Sequence, residues 1–244
     1  MEMNNKLYGK TIIWNGDSIC QGSSAWGNWA TRIAERNNMT FKNYGIGGGT
    51  VAEGVYFEVD NPRPRHWVSG TVDQMFEEFP NADYIIFEGG TNDADLLGNM
   101  LGDEKPEKLG EIDMADYSGN YDRTTFCGAI ESIFYRAIKY WHGKKIAYIV
   151  AQKMGVTTEG YTADKNNRRA YFELAIKACK KWGIPYIDLW DGTPLNPVFD
   201  WQYCPDLDKP GNDANGRFYF DGQHLTSGGY DYTSDIIDSW LKTL

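Results

Sequence analysis

The sequence predicts an open parallel α/β sheet covered by helices on both faces, and three observations lead there. Short apolar runs alternate with longer segments of helical period, five such runs are spread over the chain, and no linker interrupts its 244 residues. In chain order the strands are expected at Thr11–Trp14, Thr40–Tyr44, Tyr84–Glu88, Lys145–Val150 and Pro185–Leu189. Between them, Arg123–Trp141 places Phe126, Ile130, Ile133, Phe134, Ala137 and Trp141 on one helical face. Asp164–Trp182 repeats the pattern through Tyr171, Leu174, Ala175, Ala178, Cys179 and Trp182, and Gly183 and Pro185 stop it. A last helix over Ser227–Leu244 carries Ile236, Ile237, Trp240 and Leu241, and shorter ones are expected at Gly27–Asn37 and Thr71–Phe79. Two long stretches, Ala94–Asp122 and Trp190–Asp221, read as irregular binding loops or lids. The economical division is one domain, 1–244, with its ligand site at the carboxyl ends of the strands.

Composition narrows the function. A net charge of −10 argues against nucleic acid or an anionic bilayer as the main partner. No segment is apolar for long enough to span a membrane, and Met1–Lys10 lacks the apolar stretch of a signal peptide. Cys20, Cys127, Cys179 and Cys204 are too scattered for a zinc site or a disulfide framework, so free thiols and a cytoplasmic location are expected.

The first strand runs into Gly16-Asp17-Ser18-Ile19, which puts a serine at a strand-to-helix junction where the loops of such a sheet gather. A serine hydroxyl needs a base to become a nucleophile, and the chain has three histidines. His224 lies in Asp221-Gly222-Gln223-His224, where an acid three residues earlier on a tight turn can reach the ring's Nδ1–H and leave the other nitrogen to accept from a serine. Acyl transfer also needs donors aimed at a developing oxyanion. The glycine-rich run Asn43–Thr50 offers unobstructed backbone N–H groups after the second strand, and Glu88–Asp93 offers the Asn92 carboxamide after the third.

Taken together, GDSI at Gly16–Ile19, N-x-G-x-x-G-x-T at Asn43–Thr50, G-x-N-D at Gly90–Asp93 and D-x-x-H at Asp221–His224 resemble the GDSL-type or SGNH serine hydrolases, block by block and in order. Ile19 stands where the family name has leucine, a change of packing more than of chemistry. The resemblance implies a flavodoxin-like three-layer α/β/α sandwich with a five-stranded parallel sheet. It also implies Ser18 as nucleophile, His224 as base, Asp221 as its orienting acid, and an oxyanion hole of the Ser18 N–H, the Gly48 N–H and the Asn92 side chain. No metal or organic cofactor is expected.

Other readings of the same residues are weaker. The glycine run lacks the lysine of a phosphate loop, and it has Thr50 where a dinucleotide fingerprint needs glycine. A two-metal phosphoesterase built on Asp17, Asn92, Asp93 and His224 would want more imidazoles, whereas His142 reads as a helix-end residue and His66, which follows the glycine block and could border the pocket, reads as a solvated loop group outside the site. Asp221 has an alternative role as a helix cap. Trp26, Trp29, Trp67, Trp190, Trp201, Tyr203 and Tyr219 fall near the expected rim, and about half of them should serve as core anchors and the rest as faces for sugar rings. The expected activity is hydrolysis of a short acyl ester, acetyl above all, on a carbohydrate or other small polar alcohol. A lysophospholipase- or thioesterase-type acylhydrolase, an acyltransferase, and a carbohydrate-binding module without turnover are the alternatives.

Overall fold

The runs richest in isoleucine, valine and aromatic residues form the middle of one sheet. The computed structural model describes residues 5–54, 66–97, 108–157, 160–161, 168–197, 200 and 218–244. Its strands are β1 (Thr11–Asn15), β2 (Thr40–Asn43), β3 (Tyr84–Glu88), β4 (Lys145–Val150), the two-residue pair β5 (Val156–Thr157) and β6 (Gly160–Tyr161), and β7 (Tyr186–Asp188). Five of them pair in the order β2-β1-β3-β4-β7, all parallel, and β5 and β6 form a separate antiparallel hairpin. The central strands are covered on both faces and therefore carry continuous apolar runs: Ile12, Ile13, Trp14, Ile85, Ile86, Phe87 and Ile149 are fully buried. The edge strand β2 exposes Thr40, Phe41 and Lys42, and its lysine discourages pairing with another chain.

The helices are α1 (Ser18–Gln21), α2 (Trp29–Asn37), α3 (Val72–Glu78), α4 (Thr91–Leu97), α5 (Phe126–Tyr140), α6 (Arg168–Trp182), α7 (Leu189–Gly192) and α8 (Ser227–Leu241). From β1 the chain steps outward to β2 and then returns across the sheet to β3, β4 and β7. Right-handed crossovers therefore put α2 on one face and α3, α5 and α6 on the other. The packing agrees, with α8 lying against α2 and α5 against α6. This is the three-layer sandwich with five parallel strands that the sequence implied.

Several boundaries move for local reasons. The Asn28 side chain accepts from the Thr31 N–H and starts α2 one residue past its cap, while Asn38 closes the helix in the left-handed region at φ 51°. Thr125 caps α5 in the same way, so Arg123 stays outside it. The described part of α6 begins at Arg168, and α8 ends at Leu241, short of Leu244. Asp188 caps α7 through the Trp190 and Asp191 N–H groups, which ends β7 before Leu189. The stretches expected to be irregular are thus partly helical, α4 running to Leu97 and α7 to Gly192.

Two interfaces show how polar groups are buried. Trp29, fully buried, donates its indole N–H to Thr233 Oγ1 on α8 at 2.8 Å and meets Tyr230 edge-on. Lys181, whose side chain is completely enclosed, pairs with Glu131 on α5 and sits over the rings of Tyr117, Tyr121 and Trp182, with Nζ 5.1–5.4 Å from their centres. That cage fastens the end of the segment between α4 and α5 to the helical layer. Deleting the Trp29 ring opens a cavity between α2 and α8 that these helices cannot close. Trp29→Ala is expected to cost about 3–5 kcal/mol of unfolding free energy, read as a lowered midpoint in urea denaturation, and an unchanged midpoint would contradict this account of the interface.

Candidate active site

Strand order reverses between β1 and β3, and the loops leaving the carboxyl ends of these two neighbours build the site. After Asn15 the chain must turn beside β3, and only glycine fits: a Cβ on Gly16 would lie 2.5 Å from Glu88 Oε2 and 2.7 Å from Cys20 Cβ. Asp17 follows in extended conformation as the cap of α1, its carboxylate accepting from the Ile19 N–H at 2.8 Å, which makes Ser18 the first helical residue.

The carboxylates beneath the serine are buried. Glu88 Oε2 accepts the Asp17 N–H at 3.1 Å. Burial pushes Asp17 up to about 6, against the pull of the Ile19 N–H and the charge of His224. Burial and the Asp17 charge push Glu88 well above the carboxylate range. Burial thus disfavours charge on both carboxyls, and more strongly on Glu88. A proton held by the pair reconciles the two buried oxygens that otherwise lack a partner among the described residues, Glu88 Oε1 and Asp17 Oδ2.

The glycine run turns back toward α1. Gly49 N–H donates to Ile46 O at 2.9 Å with Gly48 at φ 78°, a type II turn whose third position calls for glycine. Gln21 Oε1 accepts the Gly47 N–H, and Ile46 N–H donates to Gly16 O, so this turn is held against the serine's own helix. Among the described residues neither the Ser18 nor the Gly48 N–H has an acceptor. On the other side, Asn92 in the first turn of α4 donates one amide hydrogen to Gly49 O at 2.8 Å and keeps a second. Asp93 accepts the Val51 and Ala52 N–H groups at 2.8 and 2.9 Å, and burial pushes its carboxyl up to about 7. Asp17 and Asp93 are thus engaged with backbone amides, not gathered around a common point, and among the described residues no cluster of three His, Cys, Asp or Glu side chains could hold a metal ion.

The base comes from the loop before α8. Asp221 Oδ1 accepts the Gln223 and His224 N–H groups at 2.9 and 2.7 Å, which closes the turn, and Oδ2 accepts from His224 Nδ1 at 2.7 Å. With Nδ1 protonated, Nε2 is an acceptor, and the Ser18 hydroxyl lies 2.8 Å from it. Burial pulls the imidazole down, but the hydrogen bond and charge of Asp221 more than offset this, leaving His224 above its ordinary value. Asp221 is held below the usual carboxylate range, because the contacts to His224 outweigh its own burial. The cap of α8 is Thr226, which accepts the Gly229 N–H, so Asp221 has no capping role there.

The structure brings Ser18, His224 and Asp221 into one hydrogen-bonded line and ties Asn92 to the turn that contains Gly48. Sequence reasoning left His66 out of the site as solvated, whereas it is buried, bonds Asn15 Oδ1 at 3.0 Å, packs against Gly49, and is driven down to about 4 by burial, so it is a neutral wall beneath the glycine turn. Its place after the glycine block was the one signal of a position at the pocket's border; the charged context Arg63-Pro64-Arg65-His66-Trp67 pointed to solvent, because the partners lie on β1 and the glycine turn. Of the seven rim aromatics, Trp29, Trp190 and Tyr219 are buried, Trp26 and Trp67 are partly exposed, and Trp201 and Tyr203 lie outside the described residues.

Comparison with known proteins agrees with this architecture. No curated protein matches the sequence. Among solved structures, the chain resembles a protein from Lactobacillus plantarum with a TM-score of 0.66 at 18% identity, over 97% of this chain and 98% of that one. It also resembles a carbohydrate acetylesterase family member from Sinorhizobium meliloti, with a TM-score of 0.60 at 14% identity over 96% and 98% of the two chains. A lipase/acylhydrolase from Enterococcus faecalis gives a TM-score of 0.53 at 16% identity over 96% of each chain. At these identities the likeness speaks for the fold. The family model of the GDSL-like Lipase/Acylhydrolase family matches residues 15–232, nearly the whole sequence, and the chain belongs to that family.

Proposed function

We propose that Ser18 is the nucleophile of an ester hydrolase, His224 its general base and Asp221 the acid that orients the base. The observation that carries this reading is the single imidazole held 2.8 Å from the Ser18 hydroxyl and 2.7 Å from the Asp221 carboxylate. As Oγ bonds to the acyl carbon, Nε2 takes its proton, and Asp221 stabilises the imidazolium that results. The carbonyl oxygen becomes an oxyanion facing the Ser18 N–H, the Gly48 N–H and the second amide hydrogen of Asn92. Collapse breaks the bond to the alcohol, which leaves with the proton from Nε2. Water then attacks the acyl-enzyme by the same route, giving the carboxylic acid and free Ser18.

The acyl group assigned here is short, acetyl or propionyl, on a carbohydrate or similarly polar alcohol. Three observations support this. A net charge of −10 opposes docking on anionic lipid. Leu96, at the start of the long stretch after β3, is buried in the fold and unavailable to a lipid surface. Partly exposed Trp26 packs on Phe220 with ring centres 4.4 Å apart, and the Phe220 N–H donates to His224 O, so an aromatic pair adjoins the base. The name carried by the Sinorhizobium meliloti neighbour, a carbohydrate acetylesterase family member, is of the same kind. A carbohydrate-binding role without turnover would have no use for a serine, an imidazole and a carboxylate in line.

Ser18→Ala is expected to abolish hydrolysis of an aryl acetate and labelling by a fluorophosphonate while leaving the circular dichroism spectrum unchanged, and His224→Ala should fall by several orders of magnitude in kcat. Wild-type turnover in either would refute the mechanism. Because His224 must be neutral to accept a proton, kcat/KM should rise with pH through a single ionisation above the ordinary imidazole value. In Asp221→Asn that step should move to lower pH, since the carboxylate that raises it is gone. A step that stays in place would assign the ionisation elsewhere. Across aryl esters from C2 to C16 activity should peak at C2 or C3 and decline by C8, with acetylated sugars deacetylated alongside. A lipid-type enzyme would instead gain about 0.8 kcal/mol of binding per buried methylene and peak at C8 or longer.

A further inference from the structure

The turn that presents His224 is held from outside by groups that belong to no catalytic block. Gln152, just past β4, donates its amide to Gln223 O at 2.9 Å, and the Gly155 N–H donates to Gly222 O at 3.3 Å. The third brace comes from the first described residue of α6. Arg168 Nη2 donates to Gln223 Oε1 at 3.0 Å. The same guanidinium forks onto Asp95, with Nε at 2.9 Å from Oδ1 and Nη2 at 3.0 Å from Oδ2, and both side chains are more than nine-tenths buried. Asp95 lies on α4, three residues beyond Asn92. One buried cation therefore joins the helix that carries the Asn92 donor to the turn that carries the base. A buried ion pair gives little net stability compared with an apolar pair of the same volume, so its value here lies in geometry.

We infer that Arg168, locked by Asp95 and joined to Gln223, is a positioning residue of the esterase reaction that fixes the distance between the His224 base and the Asn92 side of the oxyanion hole. The inference rests on the proposed roles of Ser18 and His224. A bidentate fork with a third donor specifies direction as well as distance, which a flexible ammonium does not. The cation also acts through space. Among the charges near His224, Asp221 on its own turn and Asp17 at the cap of α1 favour the imidazolium and Arg168 opposes it, while Asp95 on α4 is taken up by the Arg168 guanidinium. Arg168 thus keeps the base from being over-stabilised in its protonated form by two carboxylates.

The test measures kcat, KM and the pH profile on an aryl acetate for the full-length chain and four variants. Gln223→Met severs the link to the turn while leaving the Arg168–Asp95 pair intact. It should lower kcat by about tenfold, with KM within twofold and an unchanged melting temperature. Arg168→Met should lower kcat by about 100-fold and move the acid limb of kcat/KM to higher pH, whereas Arg168→Lys should keep that limb in place and lose kcat as Gln223→Met does. Ser18→Ala separates the two levels. If it stays active, the proposed function fails; if it is dead while folded Gln223→Met and Arg168→Met keep wild-type kcat and an unmoved limb, the positioning role alone is overturned. Should Arg168→Met fail to fold, wild-type kcat in Gln223→Met overturns it by itself.

Discussion

Every functional group described here depends on the pairing of β1 with β3. These strands lie side by side in parallel, yet the chain leaving β1 heads for one face of the sheet and the chain arriving at β3 comes from the other. Their outgoing loops must diverge, and at the crevice between them the Ser18 and Gly48 N–H groups have no acceptor among the described residues. The serine, the glycine turn and the start of α4 all border that crevice, while the base is brought to it by a loop far along the chain. Register does the rest: Asn15 stands opposite Phe87, so Gly16 passes directly over Glu88 and the nucleophile begins its helix at a height set by the sheet.

How much of this was legible depends on whether the cause is local. The central strands were readable because burial on both faces demands unbroken apolar runs, and α5 because its buried face repeats at helical spacing over 15 residues. α1, α4 and α7 were not: α1 and α7 are four residues long and set by the caps Asp17 and Asp188, and TNDADLL of α4 looks like a polar loop. In the site, Ser18 and the Asp221–His224 pair could be found because their chemistry needs particular residue types at close spacing. The partners that hold them could not. Asp95 and Arg168 are 73 residues apart, and His66 meets Asn15 across 51.

Glu88 shows the same limit in another form. It stands in sequence as the last residue of an apolar strand, and it is buried under the nucleophile with a second carboxyl beside it. Two carboxylates cannot both be ionised at such a place without severe cost, so a proton becomes part of the architecture. The Asp17 charge is one of the two that favour protonated His224, opposed by Arg168. The base therefore sits among charges of two kinds, the exposed Asp221 adjacent in sequence and the buried Asp17 and Arg168 brought from elsewhere in the chain.

The enclosed Lys181 has a consequence for heat. Its partners are one carboxylate and three rings, so the joint that fixes the segment before α5 is electrostatic at its centre and apolar at its walls. The cost of stripping water from an ion pair falls as temperature rises, while the gain from apolar contact levels off. A joint built in this way therefore loses less of its strength on warming than an apolar contact of the same size would.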